Sequence, residues 1–286
     1  MKNKVILRYL FALTLYGTIG LFLHFVSYSS EFVVLCRGLL GSLFISLVFS
    51  FRKDKIDFST IKRNLPVLAL SGIALGFNWV FLFTGYRYGI AISSLCNYMA
   101  PIAVVVITSL FYKEHINIRQ ILCIIISFVG MTLLIGLFEG KIQTDIRCVI
   151  YGLLAAVGFV ILVLCNRRLK EIKALEKTLI QLLFSALIVL PYVCFSNGFP
   201  KETDPLSTIL VLILGFLHTG VAYICYFSSI NILPAQSIAV LGYLEPVLNL
   251  LIGAFVLREK IGITGMIGAV LILLASIGNE LFADKE

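Results

Sequence analysis

Apolar runs of about 20 residues recur along the whole chain, and each is long enough to cross a ~30 Å hydrocarbon core as a helix. Ten are read, at 5–26, 31–51, 65–86, 89–112, 118–138, 146–167, 174–195, 206–230, 235–257 and 262–282. Charged residues make up 13% of the sequence, about half the fraction usual in a soluble domain. The connections between runs are short, so no soluble domain fits between them. Barrel strands would alternate over ~10-residue segments, and that pattern is absent. The expected fold is an all-α integral membrane protein with ten transmembrane helices, its function lodged inside the bilayer.

The formal net charge of +8 is explained by topology rather than by a nucleic-acid partner. With the N-terminus inside, 16 Lys and Arg fall on inner segments and the adjoining span ends and 6 on the outer ones, which leaves Arg37 deep within a span. That bias predicts a multi-pass protein of the cell (cytoplasmic) membrane with both termini cytoplasmic. The first 26 residues imitate a signal peptide, but their apolar part is too long and lacks a small-residue cleavage site, so a retained first span is expected. Seven cysteines lie singly, without metal-type spacing. They read as packing residues, with no metal site.

The chain repeats itself. "NYMAPIAVVVITSLFYKEHINIRQ" from Asn97 parallels "GYLEPVLNLLIGAFVLREKIGITG" from Gly242. Tyr98 aligns with Tyr243, Pro101 with Pro246, Lys113 with Arg258 and Glu114 with Glu259 at a constant offset of 145 residues. Each half then holds five spans. Five is odd, so the halves enter the membrane with opposite orientation, over 1–138 and 146–286. Inverted repeats of this kind mark secondary transporters, whose sites lie near the midplane where the halves meet.

Ten spans, a 5+5 inverted repeat, and a proline thirteen residues before a glutamate in both halves ("PIAVVVITSLFYKEHI" and "PVLNLLIGAFVLREKI") resemble the drug/metabolite transporter superfamily in its EamA-type branch. Two positions depart from the pattern. Gln181 stands where the first half has Arg37, and Tyr16-Gly17 replaces a tryptophan-glycine pair. The resemblance implies a transporter with a central cavity lined by both halves, and leans towards export. It does not name the cargo.

Few ionisable residues lie inside spans, and each is a functional candidate by default. Glu245 sits ~15 Å from the inner end of span nine, and His218 ~18 Å into span eight from the outer side, at 1.5 Å per residue. Arg37 lies ~9 Å from the outer edge of span two, within reach of both. A charge at the bilayer centre costs roughly 2.5–3.5 kcal/mol. Glu245 is tolerable if it faces a wet cavity, pairs with Arg37 or His218, or keeps its proton. It would then bind a proton, hold a cationic group of the cargo, or merely bridge helices. Pro101 and Pro246 remove backbone donors and are expected to kink spans four and nine. Paired interruptions at matching positions point to a transporter site.

Trp79, Asn97, Tyr98, Tyr223 and Tyr243 complete the candidate substrate-binding set with Arg37, His218 and Glu245. Tyr223 and Tyr226 share a helix face, and aromatic rings suit an apolar or cationic cargo. Gly72 and Gly76 form a small-residue face for close helix approach. The Lys113–Glu114 and Arg258–Glu259 pairs are read as membrane-edge anchors, and His115 as solvated.

The function expected is secondary active transport of a small organic metabolite, of amino acid or amine type, by alternating access. Glu245 and His218 are the candidates for proton coupling. An uncoupled facilitator or channel is the alternative, and an intramembrane enzyme a weaker one. No nucleophile-base pair, H-E-x-x-H or G-x-S-x-G motif is present. No cofactor is expected. The partners expected are the small-molecule substrate, the lipid bilayer and protons.

Overall fold

Aspartates start several of the helices. Asp57 accepts from the amides of Ser59 (3.1 Å) and Thr60 (3.2 Å), Asp145 from that of Arg147 (3.0 Å), and Asp204 from that of Ser207 (3.1 Å). Each satisfies amides that a helix N-terminus leaves without partners. The computed structural model describes residues 2–52, 56–112, 117–135, 145–196, 198–230, 232–233, 241–259 and 261–282. Every regular element among them is helical. Lys113, Glu114, His115, Gln236 and the first residues of the run expected over 235–257 lie outside the described residues.

The elements in order are α1 (Lys2–His24), α2 (Ser30–Arg52), α3 (Phe58–Arg63), α4 (Leu65–Tyr86), α5 (Ile90–Asn97), α6 (Ala100–Tyr112), α7 (Ile118–Ile135), α8 (Ile146–Arg168) and α9 (Ala174–Phe195). Then follow α10 (Pro205–Gly215), a π-helical segment (Phe216–Val221), α11 (Ala222–Ile230), α12 (Leu244–Leu251), a second π-helical segment (Ile252–Val256) and α13 (Ile263–Phe282). Among the described residues, seven helical stretches are long and apolar enough to cross a bilayer, and the apolar helices at Ile118–Leu134, Leu244–Val256 and Ile263–Gly278 are shorter. The short helix α3 was not expected. It buries Ile61 with Leu68, Leu169 and Ile172.

Spans four, eight and nine differ from the single helices expected. The run over 89–112 breaks at Tyr98 and Met99. Their amides bond back to the Ser94 and Cys96 carbonyls, and the Ala103 amide then bonds to the Met99 carbonyl as α6 restarts. Pro101 thus occupies the first turn of a new helix, where its missing N–H costs nothing, rather than kinking a continuous one. Pro246 has the same place in α12, after a turn at Tyr243. In span eight, the Thr219 hydroxyl donates to the carbonyl of Leu214, five residues back (2.8 Å), and His218 Nδ1 lies 3.5 Å from the Ile213 carbonyl oxygen. These contacts suit the wider π turn, a geometry concentrated at functional sites.

Packing crosses between the two ends of the chain. α1 packs on α11 and α12, α2 on α9 and α10, α4 on α8 and α9, α5 on α8 and α12, and α7 on α13. Glycines permit the closest approaches. A Cβ on Gly130 of α7 would lie 2.8 Å from the Gly268 carbonyl of α13, and one on Gly72 would lie 2.8 Å from the Gln181 carbonyl of α9. The Gly72–Gly76 face therefore does pack as the sequence predicts. The largest buried core joins α2, α4 and α9. Outward rows such as Leu39, Leu43 and Leu47 remain exposed, the surface that hydrocarbon favours.

Candidate functional site

Arg37, about two turns into α2, is 2% exposed. Its guanidinium carbon lies 4.3 Å from the Trp79 ring centroid and 5.0 Å from that of Phe83, both on α4. Such stacking stabilises a desolvated cation. Nε donates to the Thr219 hydroxyl at 2.9 Å, tying α2 to the first π segment, while Nη1 is buried with no partner. Its repeat counterpart Gln181 is also buried, but donates to both Ser71 and Asn166 (2.8 Å each). The buried cation of this matched pair therefore belongs to the first repeat alone.

Glu245 enters from the first turn of α12. Its carboxylate lies beside the Tyr98 hydroxyl and within electrostatic range of Arg37, with no direct ion pair to Arg37. The Tyr98 and Tyr243 rings lie 6.2 Å apart, so the two helix breaks meet. Tyr16, Tyr86 and Tyr223 are each within electrostatic range of both Arg37 and Glu245. The Tyr16 ring lies 5.8 Å from Tyr223 and 6.0 Å from Tyr226, and its buried hydroxyl has no partner. Tyr223 and Tyr226 thus share a face, as their spacing predicts.

His218 does not join Glu245. Its Nε2 shares a hydrogen bond with the Thr18 hydroxyl (3.1 Å), and its ring lies 4.6 Å from Phe22. The similar depths read from sequence are no guarantee of contact, because the π turn directs the ring towards α1. Asn97 is held beside the first break, where its side-chain oxygen accepts from Asn78 (3.1 Å). Asn78 also donates to the Ala155 carbonyl (2.8 Å), linking the break to α8. A cavity of ≈ 210 Å³ lies beyond Arg37, bordered by His24, Tyr28, Ser30, Phe83, Tyr86 and Arg87. Phe83 belongs both to its wall and to the Arg37 stack.

Glu259 has a role that membrane-edge anchoring does not describe. Its carboxylate accepts from the Ile90 amide (2.6 Å) and the Ala91 amide (3.2 Å), capping α5 from the far end of the chain. Arg258, at φ 53°, is the positive-φ non-glycine residue among the described residues, and it turns the chain into this cap. Sequence reasoning also passed over Tyr16, Thr18 and Thr219 as site residues. A hydroxyl beside His218 in an apolar run, and two tyrosines seven apart on α1 (Tyr9 and Tyr16), were the available signals.

The sequence model of the EamA-like transporter family matches residues 3–136 and again residues 146–279. The chain belongs to that family. It is 25% identical over 248 residues to the uncharacterized transporter YxxF of Bacillus subtilis, covering 86% of this chain and 79% of that one. It is 22% identical to the S-adenosylmethionine uptake transporter of Rickettsia prowazekii, covering 80% of this chain and 76% of that protein. A solved crystal structure matches with a TM-score of 0.67 and 16% identity over all of both chains, a likeness of fold.

Proposed function

We propose that this transporter is a secondary active carrier that moves a small organic metabolite, of amino acid or amine type, across the cytoplasmic membrane by alternating access. The observation that carries the reading is the meeting of two helix breaks, at Tyr98 and Tyr243, beside an intramembrane carboxylate. Broken helices supply polar backbone and a hinge where a carrier needs both. Ten spans in two inverted repeats, over 1–138 and 146–286, with cytoplasmic termini, belong to the same reading. The packing supports the repeat: α1 pairs with α11 and α12, and its counterpart α8 pairs with α4 and α5. Rocking of one half against the other about Pro101 and Pro246 would expose the chamber to each side in turn.

Glu245 is the proton-coupling group of this proposal, since a carboxyl can hold either a proton or a cationic cargo. His218, on the π segment beside Thr219, is the second candidate. The relative named for S-adenosylmethionine uptake supports an organic metabolite as cargo. The test is uptake of labelled amino acids, amines and sugars into proteoliposomes, with and without a pH gradient. Saturable flux that the gradient stimulates, and that Glu245→Gln uncouples, is expected. Gradient-independent flux in the unmodified protein would instead identify a facilitator, and single-channel currents a channel.

A further inference from the structure

Arg37 presents a buried guanidinium with an unmet donor. The guanidinium has five N–H donors in a planar fork that matches a carboxylate. One goes to Thr219, the flat face rests over Trp79 and Phe83, and Nη1 is buried without a partner. A buried cation with an unmet donor is costly unless something completes it. Glu245 is the obvious neighbour, yet the two do not close into an ion pair. Tyr16, Tyr86 and Tyr223 are within electrostatic range of both charges, and the Tyr16 and Tyr223 rings lie 5.8 Å apart. The unpartnered Tyr16 hydroxyl adds a second open donor.

We propose that Arg37 and Glu245 bind the two ends of one zwitterionic cargo. A carboxylate docks on the Arg37 fork and the Tyr16 hydroxyl, and an ammonium docks on Glu245 among the tyrosines. The inference rests on the carrier reading, and it selects amino acids over simple amines. An amine would leave Arg37 unmet and bring a second cation into its field. A plain carboxylic acid would oppose the charge on Glu245. A molecule carrying both charges keeps the two residues balanced and gives each a partner of opposite sign.

Trp79 is the single tryptophan of the sequence, and its ring lies under the Arg37 guanidinium. Its emission therefore reports occupancy at Arg37 without requiring flux. The purified full chain in detergent is titrated with a panel of non-aromatic L-amino acids. The same compounds are then tried as α-amides, as decarboxylated amines and as deaminated acids. At least one amino acid should shift the Trp79 emission saturably. Its amide, amine and acid should each bind at least about tenfold more weakly, the scale of one lost charge-assisted hydrogen bond. Arg37→Gln should erase the preference for the carboxylate, and Arg37→Lys should restore part of it.

Equal binding of amine and amino acid, or no Trp79 response to any amino acid in the folded protein, overturns the proposal. So does an Arg37→Gln variant that keeps its carboxylate preference. Flux of other cargo alongside a silent Trp79 would reject the zwitterion and leave the carrier intact. Amino acid binding with the expected selectivity but no flux would do the reverse.

Discussion

The rings of Tyr98 and Tyr243, 145 residues apart in sequence, lie 6.2 Å apart in space. Each marks the point where an apolar run stops being helical and restarts with a proline in the new first turn. These two residues matched by the internal repeat are thus neighbours in the fold, and the Glu245 carboxylate lies beside Tyr98 across this contact.

Pro101→Ala and Pro246→Ala test the hinge. Alanine lets the helix run on through the break, because it restores the backbone donor that proline lacks. Thermal stability should hold or rise while maximal flux falls about tenfold, equivalent to ~1.4 kcal/mol on the slowest step. Unchanged flux in both variants would show that the breaks are static.

Glu259→Ala removes the carboxylate cap from α5. The amides of Ile90 and Ala91 lose their acceptor, and the helix N-terminus loses a favourable charge. A cost of about 1–2 kcal/mol is expected, read as a lower midpoint of thermal unfolding. Glu259→Gln should lie between the alanine variant and the parent.

Gly130→Ala tests the closest helix contact. The added methyl meets the Gly268 carbonyl and must push α7 away from α13, at about 1–3 kcal/mol. Gly265→Ala on α13 is the control, since a Cβ there would stay 3.7 Å from the Leu134 carbonyl of α7 and approach only the nearby Ile261 side chain, at 3.1 Å. Equal melting temperatures for the two variants would contradict a tight α7–α13 seam.

Asp204, outside the spans, caps α10 while accepting from the Ser207 hydroxyl and amide, which hold its carboxyl below the ordinary range. Its folded pKa is depressed, so its stabilising contribution is complete above the ordinary carboxylate range. That contribution is lost as pH falls through the lowered value. Thermal unfolding followed from pH 7 downwards should show the parent converging on Asp204→Ala at acid pH. Parallel curves would place the cap's contribution elsewhere.

Much of the site was legible because intramembrane polarity is rare. Arg37, His218 and Glu245 stand out in apolar runs, and the structure places Trp79, Tyr98 and Tyr223 near Arg37 or Glu245. Their pairing was not legible. His218 and Glu245 lie at similar depth in neighbouring spans, yet the π turn gives the histidine to Thr18 on α1. Arg37 finds Thr219, whose hydroxyl also satisfies the Leu214 carbonyl, a bond that exists only because the helix widens there.

The amino-acid order alone determined the apolar runs, the positions of the two prolines and the matched tyrosines beside them. A bilayer accepts only segments whose backbone is internally satisfied, and proline interrupts that satisfaction locally. Which helix faces which was decided by tertiary structure. The Arg37–Thr219 bond, the Glu259 cap on α5 and the Gly130–Gly268 approach each join residues more than 100 positions apart. Such contacts follow from close packing between helices, and no local rule of spacing or polarity encodes them.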